Sequence, residues 1–285
     1  MTQETLILGL LAETFVHPGC GQSEGAIDLP VSREAATDFP FIAGSGLKGA
    51  LRDRARTHWP DTAATDNEER ELNSVVSKAF GEQEKAGDLL VGDARLLLLP
   101  VRSLTGAYKW VTCPLLLERL NRDLKRSGLK GVTTLDERLE QKGFLGSGKD
   151  TLYLEERTFN RKGDLPDGIT EGLGQLVLHE STRGRLEEQL VILHDDDFVW
   201  FARYGLPVHA RNLLDDKSKT SDNLWYEETL PPDTLLYSLL GARRGDSVSD
   251  VKELLGEHSY LQVGGNETVG QGWFAARILA EENAS

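Results

Sequence analysis

Residues 19–56 read GCGQSEGAIDLPVSREAATDFPFIAGSGLKGALRDRAR, from Gly19 to Arg56. A glycine-rich loop holding Gly19, Gly21 and Gly25 ends in a lone acid, Asp28. Glycines let such a loop fit closely around a ligand. His17 lies just upstream and can exchange protons near neutral pH. The second half is a Gly44-Ser45-Gly46 turn opening a helix, with Ser45 as the expected N-cap. Leu47, Ala50, Leu51 and Ala55 recur at helical spacing and predict a core face. Lys48, Arg52 and Arg56 are four apart and form one basic stripe. A helix N-terminus with cations behind it suits successive phosphates. The plainer alternatives are a solvated amphipathic helix and an Asp that merely caps a turn.

The rest of the chain supplies the frame. Thr5 to Phe15 reads as a buried strand and Phe39 to Ala43 as a short extended piece. Pro60 should end the basic helix, and the polar run Asp61 to Glu71 reads as a linker. Leu72, Val75, Val76, Ala79 and Phe80 predict a helix stopped by Gly81. Leu89 to Val101 is a strand signal broken at Gly92-Asp93, with Ala107 to Val111 as its neighbour. Thr112 is the expected cap of a helix with Pro114 in its first turn. Leu116, Leu117, Leu120 and Leu124 face its core. Thr151 to Glu155 and Leu176 to His179 read as strands within an insertion. Two strand-like runs over Leu190 to Tyr204 flank Asp195-Asp196-Asp197. Three adjacent acids on a strand do not converge, so this is expected to be a solvated turn rather than a metal site. Val208 to Glu228 predicts a long hairpin with a polar tip. Thr234 to Leu240, a helix at Val248 to Leu255 and a strand at Trp273 to Leu279 close the chain. The loop Gly264 to Gly272 lacks the Lys-Ser or Lys-Thr of a P-loop, and too little chain follows it for a dinucleotide-binding unit.

The order of elements predicts an α+β fold with a ferredoxin-like (RRM-type) core, large insertions and a projecting β-hairpin. One domain over residues 1–285, with 208–228 inserted as the hairpin, is the expected organisation. No aromatic RNP run is visible, so recognition by loops and helices is expected rather than base stacking on the sheet.

Composition sets limits. The 285 residues include 39% hydrophobic ones, ample for a sizeable core. No apolar run reaches the roughly 18 residues that span a bilayer, and Met1-Thr2-Gln3-Glu4 lacks a basic leader. Two distant cysteines, Cys20 and Cys113, predict neither a disulfide framework nor a zinc cluster, and favour a reducing cytoplasm. The net charge of −14 opposes nucleic-acid binding unless positive charge is gathered on one face. Bases do cluster at Lys48 to Arg56, Arg119 to Lys130, Lys217 to Lys219 and Arg243-Arg244, away from acids at Asp61 to Glu71, Asp195 to Asp197 and Glu281-Glu282.

The run from His17 through Asp28 to Lys48 and Arg52 resembles the N-terminal signature of the RAMP superfamily of CRISPR proteins. It is most similar to the repeated backbone subunit of Cmr-type (type III-B) RNA-targeting effectors. Lys109 to Pro114, Asn223 to Glu228 and Gly264 to Gly272 match in order downstream. The resemblance implies a subunit of CRISPR antiviral defence that binds guide RNA, stacks with copies of itself and other Cmr-type subunits, and cuts target RNA at regular intervals. It places the cleavage acid at Asp28, with Mg²⁺ or Mn²⁺ as the fitting metal. Glu227 is a candidate second acid, Glu228 its fallback, and His17 a proton-exchanging partner. The hairpin would be a thumb wedging between bases, with Arg211 at its base and Lys217 at its tip near phosphates. Ser45, Lys48, Arg52, Arg56, Gly264, Gly265, Gly270 and Gly272 would line the RNA. A non-catalytic scaffold, the related Csm-type subunit and an unrelated acidic α+β enzyme stay open at this point.

Overall fold

A computed structural model describes residues 5–23, 25–59, 75–133, 135, 139–214, 217–218 and 220–279. Pro60, Leu72, the 61–71 linker, the 281–282 acids and most of the hairpin-tip acids lie outside the described residues.

Strand β1 (Thr5–Ala12) is buried along almost its whole length, as its apolar run dictates. A two-residue strand, β2 (Phe41–Ile42), leads into helix α1 (Gly44–His58). Gly44, Leu47, Leu51 and Ala55 are its buried face. Gly44 is required by packing, since a Cβ there would meet Val91 O at 2.6 Å. Ser45 is not the cap expected of it. The N-cap is Ala43, which makes no side-chain cap bond. The orphan N–H of Gly44 donates instead to Asp93 Oδ1 at 2.7 Å, so a carboxylate remote in sequence does the capping.

Helix α2 (Val75–Phe80) stops at Gly81, whose φ of 86° favours glycine. Strands β3 (Leu89–Val91) and β4 (Ala94–Arg102) are split at Gly92-Asp93, as expected, and β5 (Tyr108–Thr112) returns beside β4. The N-cap position of helix α3 (Pro114–Arg126) is Cys113, which makes no side-chain cap bond, rather than Thr112, which belongs to β5. Asp195 Oδ1 accepts from Leu115 N in its first turn at 2.9 Å. The insertion adds β6 (Gly143–Gly146), β7 (Thr151–Leu154), β8 (Arg157–Gly163), α4 (Ile169–Gly174), α5 (Glu180–Arg183), α6 (Leu186–Gln189) and β9 (Leu190–Leu193). Leu176 to His179 forms turns between α4 and α5, not a strand.

The Asp195–Asp197 run is also not a turn between strands. It is the first turn of α7 (Asp195–Tyr204). Three acids suit the positive end of a helix dipole. Phe198, Phe201 and Ala202 then bury at helical spacing. Asp197 is itself buried and accepts from Lys142 N at 2.6 Å. The chain continues through β10 (Val208–Leu214), β11 (Ser221–Glu228), β12 (Leu235–Ala242), α8 (Ser247–Glu257), β13 (Tyr260–Gln262) and β14 (Trp273–Leu279).

These elements give a mixed α+β architecture around one large sheet, ordered β13-β14-β1-β12-β4-β5-β9-β6-β8-β7. The β14-β1-β12-β4 portion is antiparallel throughout. Parallel pairs occur at β5–β9, where the insertion joins the frame, and at β6–β8 within it. Among the described strands, β10 and β11 pair with each other as a separate two-stranded ribbon, joined to the body by a single bridge from Glu227 to Leu29. No described helix is long and apolar enough to cross a membrane.

Candidate functional site

Four segments meet where the ribbon leaves the body. Single β-bridges join Val16 to Leu230, His17 to Gly265, Gly19 to Val31 and Leu29 to Glu227. The sewing is short-range in space and long-range in sequence, so it fixes loops that have no regular structure of their own.

Asp28 sits exposed on one of these loops. Its Oδ2 accepts from Tyr226 N at 2.8 Å. Leu29 N donates to Tyr226 O at 3.1 Å, and Glu228 N donates to Leu29 O at 3.0 Å. The acid is therefore held against the foot of β11 with its other oxygen free of hydrogen bonds among the described residues.

Glu227 and Glu228 are both buried, at 2% and 4% exposure. Successive strand side chains point to opposite sides, and the partners follow that rule. Glu227 accepts from Asn266 Nδ2 through Oε1 and from Arg211 Nε through Oε2 at 3.3 Å. Glu228 accepts from Arg33 NH2 at 2.6 Å and from Val31 N at 3.1 Å. Glu227 thus belongs to the His17 and glycine-loop side. Neither carboxylate is presented to solvent.

His17 is nearly enclosed, with Nδ1 2.7 Å from Glu228 O and 3.6 Å from Glu227 Oε1. A carbonyl only accepts, so Nδ1 carries a proton. The free ring position, Nε2, lies beside Gly19, where a Cβ would come within 2.6 Å of it. The resemblance makes His17 a candidate proton-exchanging partner in the site of Asp28. No hydrogen bond or ion pair joins the two among the described residues.

The glycine loop is shaped by its backbone. Gly264, Gly270 and Gly272 have φ of 101°, 80° and 87°, a region that disfavours side chains. Gly265 N donates to His17 O at 2.9 Å. Asn266, itself at φ 64°, turns its amide toward Glu227.

A groove of about 460 Å³ runs between this loop, the His17–Gly19 wall and the outward face of α1 at Ser45, Gly46 and Gly49. A Cβ at Gly46 or Gly49 would meet nothing within 4 Å, so glycine keeps that wall flat. Ser45 and Gly46, both in the groove's lining, have backbone N–H groups with no acceptor among the described residues. Yet among the described residues no lysine or arginine lines the groove, whereas Asp53 and Glu267 do. The expected cationic lining is not found among them.

The basic stripe flanks the groove instead. At about 100° per residue, Lys48 and Arg52 lie roughly a quarter turn or more from its centre on the helix surface. Lys48 Nζ donates to Leu89 O at 3.0 Å. Burial, then Arg52 and Arg243, hold its pKa below the ordinary lysine value. Arg56 pairs with Asp53 at 3.7 Å, both well exposed. Arg211 is committed to Glu227, and Lys217 stands at the ribbon tip. Sequence reasoning missed Arg33, Asp93 and Asn266, whose partners are remote in the chain.

The model of the RAMP superfamily matches residues 10–275. The chain belongs to that superfamily. This RAMP chain is 34% identical over 296 residues to the Cmr endoribonuclease Cmr4 of Pyrococcus furiosus, covering 97% of this chain and 96% of that protein. It resembles the crystal structure of oligomeric Cmr4 from the same organism with a TM-score of 0.73 and 31% identity, over 97% and 98% of the two chains. A chain of the type III-B Cmr-beta complex bound to cognate target RNA gives a TM-score of 0.76 over 98% of each chain. At 21% identity that likeness concerns the fold alone.

Proposed function

We propose that this RAMP protein is a guide-RNA-binding backbone subunit of a Cmr-type CRISPR effector and an endoribonuclease acting within it. Copies stack along one guide with other Cmr-type subunits, and each cuts bound target RNA once, giving regular intervals. Asp28 carries the reading. It is an exposed carboxylate held at the foot of a projecting ribbon, in a chain 34% identical to a Cmr endoribonuclease.

The antiparallel order β14-β1-β12-β4, with α1 after β1 and α8 before β13 and β14, supports a ferredoxin-like core. Residues 1–285 then form one domain, and 208–228 is the thumb. The free thiols of Cys20 and Cys113 suit a reducing cytoplasm.

RNA brings its own nucleophile, the 2′-OH. Cleavage needs in-line alignment, proton removal and neutralisation of charge on the phosphate. Asp28 is placed to accept the proton or orient the ribose through its free oxygen. A divalent ion would supply charge neutralisation at the phosphate. Among the described residues no group of three His, Cys, Asp or Glu can hold an ion. Asp28 would serve Mg²⁺ or Mn²⁺ as a protein ligand, with RNA oxygens and water in the rest of the shell. Glu227 is enclosed and paired to Arg211, so its part is to hold His17 and Asn266 rather than to exchange the proton. His17 and the glycine loop serve the groove, where backbone donors suit the guide's phosphates.

The test is Asp28→Ala in the assembled complex. Loss of target cutting with guide still bound is expected. Cutting at the full rate would remove the catalytic assignment and leave a scaffold.

A further inference from the structure

We propose that the Arg33–Glu228 ion pair is the positioning element for Asp28. The proposal rests on the reading of Asp28 as the cutting acid. Among the described residues Asp28 itself has one side-chain tether, Tyr226 N. Where its free oxygen points therefore depends on the register of the Asp28–Arg33 segment against Tyr226–Glu228.

The Leu29 backbone bonds set part of that register, and Pro30 has no N–H to add. The far end is set by side chains. Glu228 takes Val31 N on one oxygen and Arg33 on the other, so one carboxylate clamps two points of the segment. Arg33 uses its second nitrogen to donate to Asp38 O at 2.8 Å and Ala202 O at 2.7 Å. Ala202 is in the last turns of α7, which leads through Gly205, Leu206 and Pro207 into β10. The guanidinium thus binds both feet of the ribbon to the Asp28 loop: β11 through Glu228, β10 through the end of α7. Arg33 and Glu228 side chains are 18% and 6% exposed, so solvent screens the pair little. Its geometry is that of a fork with fixed donors, which a lysine cannot reproduce.

Among the described residues neither side chain of the pair bonds to the groove wall or the glycine loop; only the Glu228 carbonyl, which a side-chain substitution keeps, accepts from His17 Nδ1. Loss of the ion pair should therefore slow cutting without loosening the guide. In the assembled complex, Arg33→Ala should lower the single-turnover cleavage rate at saturating target by on the order of tenfold or more. Guide content and the target concentration for half-maximal rate should be unchanged. Arg33→Lys, which keeps the charge pair but not the fork, should recover part of the rate. Glu228→Gln keeps the volume and should show the same separation of rate from binding; it carries the test if Arg33→Ala fails to assemble. Wild-type rates in Arg33→Ala or Glu228→Gln would overturn the proposal. So would rate losses that merely track lost guide content. With Asp28→Ala run in parallel, a dead Asp28 variant beside fully active Arg33 and Glu228 variants removes the brace alone. An active Asp28→Ala removes the reading beneath it.

Discussion

Glu227 and Glu228 are neighbours on β11, yet their carboxylates serve opposite sides of the site. One meets Asn266 and Arg211, the other Arg33 and Val31 N. Two adjacent buried acids would repel if they shared a face. Strand alternation separates them and gives each its own cation.

Removing Glu227 should cost stability before it costs chemistry. Glu227→Ala leaves the half-buried Arg211 guanidinium without this acceptor and the Asn266 amide with Gln271 Oε1 alone. Losing hydrogen bonds of this kind should cost about 1 kcal/mol. Chemical denaturation of the isolated chain should show a lower midpoint with an unchanged slope. Glu227→Gln, which keeps one acceptor oxygen, should lose less.

Two glycines make a paired prediction. Gly49 lies mid-helix in α1 with open space at its Cβ position. Gly49→Ala should therefore stabilise the fold by about 0.5–1 kcal/mol. The added methyl also enters the groove, so guide affinity should fall in a filter-binding titration. Gly272→Ala is the opposite case. Its φ is 87° and the new Cβ would lie 2.4 Å from Val263 O. Thermal unfolding should show a marked loss of stability at that position.

Lys48 makes a prediction about pH. Burial and the nearby Arg52 and Arg243 hold its folded pKa below the ordinary 10.5. Between those two values the unfolded chain binds more protons than the folded one. Stability contributed by this group therefore rises as pH climbs from its lowered value toward 10.5. Lys48→Met should remove that rise in denaturation midpoints measured across the alkaline range. If Lys48 also meets a phosphate, the variant should flatten the salt dependence of guide binding by a slope of about 1.

Much of the frame was legible because it is written in local periodicity. Strand β14 spans Trp273–Leu279 as its apolar run indicates, and Gly92-Asp93 divides β3 from β4. The hairpin declared itself by two strand-like runs around a polar tip. Helix α7 did not, because His194 and three acids look like a loop until the Phe198, Phe201, Ala202 spacing is weighed as helical. The site was less legible. Asp28 stood out as a lone acid on a glycine loop, but Arg33 lies 195 residues from Glu228. No local signal announces such a partner. The groove lining likewise defied composition, since backbone N–H groups carry polarity that no residue count records.

The ribbon's isolation from the large sheet has one more consequence. Apart from the Leu29–Glu227 bridge at its foot, β10 and β11 pair only with each other among the described residues. Matched residues beyond Arg211 and Trp225 can be gained or lost in couples without reshaping the body. Evolution is thereby free to adjust the reach of this finger while the acid at its root stays where it is.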